Sequence, residues 1–266
     1  MKRIIKASRG YFYLEGEDAP KREKGTLKRE KSSLLVGDFV ETENDFITKI
    51  YPRKSELIRP RVANIDQVLI TFPVDGEYIA LTKHLILAEL ANSPKIILLI
   101  NKIDLGEFPY TLPYETHFLS TYTKEGLAEV KELLKNKVSV LAGLSGAGKT
   151  SILNALEITR EERVGELSRK INKGRHTTRQ ISFYPLGDEY GGGYLVDTPG
   201  FLAADITVKP RELGLYFPEL DGVQCFFSDC SHRGEKGCNA NLPKERYGAY
   251  LKIYAELEER ERRNGY

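Results

Sequence analysis

Gly143-Leu144-Ser145-Gly146-Ala147-Gly148-Lys149-Thr150 follows the apolar run Val138-Ser139-Val140-Leu141-Ala142. The run reads as a buried strand, and the residues after it, to about 156, read as a helix. A glycine-rich turn between strand and helix is a phosphate cradle. Gly143, Gly146 and Gly148 let the backbone turn its amides toward a phosphate without side-chain clash. Lys149 supplies a point charge for the β- and γ-phosphates, and Thr150 a hydroxyl for Mg²⁺. The helix N-terminus that follows adds positive dipole.

Upstream, Asn101-Lys102-Ile103-Asp104 ends a second apolar run, 95–100. Four residues match a motif often by accident. Here they stand at the carboxyl end of a strand, where parallel sheets bind ligands. Asp104 can accept two hydrogen bonds, from guanine N1–H and the exocyclic amine; adenine offers no such donor pair. Asn101 would brace the loops, and the Lys102 stem would lie along the base, with Ile103 between. Ser120-Thr121 ends the next short strand and suits backbone contact with guanine O6, although an ordinary strand-to-helix turn reads nearly the same.

Downstream, Asp197-Thr198-Pro199-Gly200 follows an apolar strand at 194–196. Asp197 would hold Mg²⁺ through water, and the Gly200 amide would contact the γ-phosphate. In an ordinary GTPase the guanine reader comes last; here it comes first. The three motifs in this order imply a circularly permuted GTPase.

Between phosphate loop and switch lies Gly174-Arg175-His176-Thr177-Thr178, where a threonine hydroxyl would complete the magnesium shell. The stretch 160–179 has seven Lys/Arg against three acids, a candidate RNA surface or a plain solvated loop. Phe201 follows the switch motif directly, where Ras-like enzymes carry a water-orienting Gln. A phenyl ring orients nothing by hydrogen bond, so slow intrinsic turnover is expected. His176 is the nearest substitute, since imidazole can orient or deprotonate water.

The 266 residues allow two or three domains, and 41% hydrophobic content supports real cores. Strands alternating with helices from about 61 onward imply a parallel sheet covered on both faces: 68–72, 95–100, 138–142 and 194–196 as strands, 79–91 and 124–135 as helices. Before it, 3–6, 11–14, 34–40 and 46–51 read as short strands, with a charged mobile loop at 15–31. That spacing suggests a small barrel such as the oligonucleotide-binding fold; an SH3-like barrel would read much the same. Residues 1–61 carry 15 Lys/Arg against 10 Asp/Glu, so +5 there and −3 in the remainder. A basic small domain beside a nucleotide site favours an RNA partner.

No apolar stretch approaches the ~20 residues of a membrane span. Met1-Lys2-Arg3-Ile4-Ile5-Lys6 has no long apolar run behind it, so it is no signal peptide. A cytoplasmic, monomeric protein without membrane contact is expected. All three cysteines fall between 225 and 238, too clustered and odd-numbered for a secreted disulfide framework. Cys225, Cys230, His232 and Cys238 together offer four soft ligands, a closed structural set for one Zn²⁺. The tail ends in a charged helix at 244–263.

The combination resembles the ribosome small-subunit-dependent GTPase family, known as RsgA or YjeQ, over nearly the whole chain. The resemblance rests on Gly37-Asp38-Phe39-Val40, Arg59-Pro60, Ala63-Asn64-Ile65-Asp66, the permuted motifs, the 174–178 loop and the Cys/His cluster. It implies an oligonucleotide-binding barrel (1–60), a circularly permuted α/β GTPase domain (61–206) and a small α-rich zinc domain (207–266). It also implies late maturation of the small ribosomal subunit, whose rRNA and particle would be the partners and whose binding would stimulate GTP hydrolysis. Carried over by position, Asn101 to Asp104 and Gly143 to Ser151 would bind GTP, Thr178 would be the switch threonine and His176 the catalytic histidine beside Lys149. An RNA-binding assembly protein, in which nucleotide only tunes affinity, is the alternative that Phe201 favours.

Overall fold

The protein is described by a computed structural model covering residues 1–8, 10–23, 33–58, 60–158, 181–197 and 205–264. The chain opens with five short strands: β1 (Lys2–Ser8), β2 (Tyr11–Leu14), β3 (Lys21–Glu23), β4 (Phe39–Glu43) and β5 (Phe46–Ile50). They pair in the order β1-β2-β3-β5-β4, and β4 returns to β1, so the ring closes. Only β3–β5 is parallel. Closure follows from period-2 patterning, which turns Ile4, Leu14, Val40 and Ile47 into one fully buried interior.

Two expectations fail here. The apolar run 34–40 is not one strand, because β4 begins only at Phe39. Leu35 and Val36 are buried without belonging to a strand, and Val36 packs with Ile4, Leu14, Val40 and Ile47. Gly37, at φ 96°, turns the chain, and a Cβ there would lie 1.9 Å from the Ala63 carbonyl oxygen. The buried Asp38 carboxylate locks the turn by accepting the Leu35 N–H at 2.8 Å and Arg53 Nε at 2.7 Å. The expected loop at 15–31 is interrupted by β3, whose Arg22 pairs with Tyr11 and Phe46; residues 24–32 lie outside the described ones. A short hairpin of β6 (Glu56–Ile58) and β7 (Arg61–Ala63) follows the barrel strands.

The central sheet follows. β8 (Gln67–Pro73), β9 (Ile96–Asn101), β10 (Glu115–Leu119), β11 (Val138–Gly143) and β13 (Tyr194–Asp197) run parallel in the order β10-β9-β8-β11-β13. All residues of β8 and β9 are buried, as strands covered on both faces require. Alternation divides them. Val68, Ile70 and Phe72 pack with Leu81 and Leu85 of α1 (Tyr78–Leu90). Leu69 packs on the other face with α2 (Leu127–Leu134) and α3 (Lys149–Ala155).

β12 (Ser182–Pro185) runs antiparallel to β13 on one side and meets β1 at Lys6 and Ser182 on the other, so barrel and central sheet are continuous. Arg3 fills this junction, its guanidinium 4.7 Å from the Phe39 ring and 4.6 Å from the Tyr194 ring. The described tail has two 3₁₀ turns, Pro210–Tyr216 and Pro218–Leu220, and the helix α4 (Lys244–Asn264). Tyr250, Ile253, Tyr254 and Leu257 of α4 pack with Leu213, Phe217 and Leu220, and with Ile86 of α1. No helix among the described residues is long and apolar enough to cross a membrane.

Candidate functional site

The described motif residues gather at one edge of the central sheet, the carboxyl ends of its strands. Asn101 ends β9, Ser120 follows β10, Gly143 ends β11 and Asp197 ends β13. Because β8 alone separates β9 from β11, the guanine motif and the phosphate loop face each other. Asn101 is buried, and its Nδ2 donates to the Ala147 carbonyl at 3.0 Å. The two motifs are therefore tied directly. Gly148, at φ 94°, makes room: a Cβ there would lie 2.2 Å from Asn101 Nδ2.

Lys102 adopts the left-handed region at φ 65° and turns the chain into the 3₁₀ turn Ile103–Leu105. Asp104 sits in that turn, and the fully buried Ser120 hydroxyl donates to its Oδ1. The same Ser120 oxygen accepts the Tyr122 N–H at 3.2 Å and the Thr123 N–H at 3.1 Å. The serine was expected to offer its backbone to a base. What the structure adds is a side chain that fixes Asp104, a job with no mark in the sequence. Thr121 lies beside it, half-exposed.

In the phosphate loop, Leu144, Ser145, Gly146 and Ala147 bridge β11 and α3. Lys149 folds over them, its Nζ donating to the Gly143 and Leu144 carbonyls at 2.8 and 2.6 Å. Partial burial lowers the pKa of this ammonium. Thr150 and Ser151 are exposed at the start of α3. The remaining candidates, His176, Thr178 and Gly200, lie outside the described residues, as does the basic stretch 160–179. Asp197 is seen only as backbone, its Cα opposite Ser182.

The second candidate site is in the tail. One donor atom each from Cys225, Cys230, His232 and Cys238 converge within 4.8 Å of one another. His232 Nδ1 lies 3.6 Å from Cys225 Sγ and 3.7 Å from Cys238 Sγ, and these two sulfurs are 4.0 Å apart. Three thiols and an imidazole at such separations suit a tetrahedral metal ion. The Asn239 N–H donates to Cys225 Sγ at 3.3 Å and lowers that thiol's pKa. Glu235, which sequence reasoning missed, holds the loop together. Its carboxylate accepts the Ser231 N–H at 3.0 Å, the Arg233 N–H at 2.7 Å and the Ser231 hydroxyl. Burial alone would raise its pKa; these donors bring it down to about 2. The only hint was a carboxylate inside a Cys/His loop.

With this geometry, the relatives are specific. The family model for the RsgA GTPase matches residues 50–207. A protein named small ribosomal subunit biogenesis GTPase RsgA, from Caldanaerobacter subterraneus subsp. tengcongensis, is 35% identical over 98% of this chain and 97% of its own length. The chain belongs to the RsgA GTPase family. A second RsgA, from Thermotoga maritima, is 38% identical over 88% of this chain and 87% of its own. Among solved structures, YjeQ from Thermotoga maritima superposes with a TM-score of 0.77 at 32% identity, covering 97% of this chain and 98% of that one. YloQ, described as a circularly permuted GTPase, gives 0.71 at 30% identity, over 97% and 95%. The permuted motif order is thus that of an RsgA GTPase, built on an α/β core.

Proposed function

We propose that the chain is a slow GTP hydrolase that assists late maturation of the small ribosomal subunit, with turnover stimulated by that particle. The observation that carries the reading is the Asn101–Ala147 hydrogen bond, which joins guanine reader to phosphate loop in permuted order. Asp104, oriented by Ser120, reads guanine, with Lys102 and Ile103 along the base and Thr121 beside it. The amides of Gly143 to Ser151 cradle the phosphates, and Lys149 neutralises them. Thr150, Thr178 and Asp197 hold Mg²⁺, which when bound offsets the charge developing on the phosphates. The Gly200 amide meets the γ-phosphate, and His176 orients the attacking water.

The closed ring β1-β2-β3-β5-β4 supports the reading of residues 1–60 as an oligonucleotide-binding barrel. Residues 61–206 are then the GTPase domain, and 207–266 a zinc domain whose Cys225, Cys230, His232 and Cys238 hold one structural Zn²⁺. A cytoplasmic monomer binding rRNA fits these parts. The test is GTP turnover with and without purified small subunits over a salt range. A steep rise is expected; no rise at any salt overturns the reading.

A further inference from the structure

The loop that follows β10 has a fixed backbone and carries one large ring into solvent. The Ser120 N–H donates to the Glu125 carbonyl at 3.0 Å and closes the loop. From inside it, the Ser120 hydroxyl oxygen accepts the Tyr122 and Thr123 N–H groups. The other side chains of the tip are polar: Thr121, Thr123, Lys124 and Glu125 surround Tyr122. Tyr122 is 87% exposed, more than any other large hydrophobic side chain among the described residues, and its ring meets no other ring or cation among them. Its backbone stands beside the carboxylate proposed to read guanine. One oxygen, Ser120 Oγ, lies within hydrogen-bond distance of both Asp104 Oδ1 and Tyr122 N. Leu105, next to Asp104 in the same 3₁₀ turn, is 63% exposed. A lone exposed ring is ordinary. Two exposed apolar side chains adjoining one carboxylate give it an apolar surround that a flat ligand can cover.

We propose that Tyr122 stacks on the guanine base, over the face turned away from the Lys102 stem, and sets nucleotide affinity without reading the base. The inference deepens the guanine-site reading above and rests on it. A purine held by its edge on Asp104 has two flat faces, and an edge contact covers neither. An aromatic ring offset on a base is favourable whatever the base, because every base has a π-face. The fixed loop backbone spares the ordering cost that a flexible lid would add on binding, and a tyrosine ring has only two side-chain torsions to fix. A protein partner fits less well: one ring on a polar loop offers far less area than a stable interface buries. Asp104 and Tyr122 thus take separate roles. The carboxylate distinguishes one base from another, and the ring holds whichever base is admitted.

The experiment is isothermal titration calorimetry of the full chain with GDP and with inosine diphosphate, whose base lacks the exocyclic amine. Tyr122→Ala should weaken both about tenfold and by the same factor, so the preference for GDP stays that of the parent. Tyr122→Phe, which keeps the ring, should bind within about twofold of the parent. A merely structural role would not move a second readout. In a chain with ring-labelled tyrosine, the Tyr122 resonance, assigned by its loss in Tyr122→Phe, should shift on adding GDP as the base current reaches the ring. Matching circular dichroism spectra and melting temperatures report that both variants are folded. A Tyr122→Ala chain that binds GDP as the parent does, or one whose preference between the two nucleotides changes, overturns the proposal. Asp104→Asn separates the two readings, since it should cost the guanine preference with Tyr122 intact. If that preference falls while Tyr122→Ala binds as the parent does, the guanine site stands and the ring's role alone falls. If the preference persists in Asp104→Asn, the guanine reading itself fails, and the stacking with it.

Discussion

β8 and β9 bury every one of their residues, whereas residues 222–243 hold neither strand nor helix and leave Phe226 and Phe227 81% and 51% exposed. The two regions stay folded by different means. The sheet is held by apolar area on both faces and by a regular ladder, so its stability is spread over many groups. The loop 222–243 is held at a few points: four converging side chains, the Glu235 carboxylate and the Tyr250 hydroxyl on the Ser231 carbonyl at 2.8 Å. Distributed support should fail gradually, and point support all at once.

Metal removal tests that contrast most severely. Apparent binding energies of structural zinc reach about 10 kcal/mol or more in small domains that lack a core. A chelator should therefore open residues 222–243 to protease while the central sheet keeps its circular dichroism and its GTP binding. Elemental analysis before treatment should give about one zinc per chain. Unchanged protease resistance after complete metal loss would show that the tail does not depend on its donors.

Arg246 comes next. Its side chain is fully buried in α4, with Nε 2.7 Å from Glu219 Oε1 and Nη1 3.4 Å from the Thr82 hydroxyl of α1. Its guanidinium lies 4.2 Å from the Phe217 ring centroid. It thus ties the tail to the helix that lines the sheet. Arg246→Ala strands the Glu219 carboxylate and should cost about 3–5 kcal/mol. Arg246→Met/Glu219→Leu removes both charges and should recover most of that in chemical denaturation. A single-variant cost below about 1 kcal/mol would mean the pair is dispensable.

The same contrast governs what the sequence disclosed. The sheet was readable because burial on both faces leaves continuous apolar runs at 68–72 and 95–100, and because Gly143 to Thr150 has one physical use. The Cys/His cluster was readable because soft side chains at short spacing have few other purposes. Arg246 and Glu219 were not, since a buried ion pair 27 residues apart looks like any two surface charges. The strand expected at 34–40 misled for a related reason: Leu35 and Val36 are buried outside any strand, and a sequence does not distinguish burial in a turn from pairing. β3, a three-residue charged strand, is made by its neighbours and has no pattern of its own. His176 and Thr178 were legible as motif members, and they lie outside the described residues.

Ser120 offers the finest test of distributed support, because it acts inside the sheet's own site. Its hydroxyl donates to Asp104 and accepts two backbone N–H groups, so Ser120→Ala frees the carboxylate proposed to read guanine. The lost bonds are worth about 1 kcal/mol net, since solvent can reach Asp104 once the loop relaxes. GTP affinity should fall roughly five- to tenfold, and discrimination against inosine and xanthosine triphosphates should narrow with it. The change should fall on KM, since the proposal places Asp104 on the base and not on the phosphates that react. Titration with a fluorescent guanine nucleotide measures the first effect and competition with the analogues the second. Unaltered affinity would mean Asp104 holds its orientation without the serine. A loss as complete as the tail's on chelation would mean that the site, too, hangs on a single point.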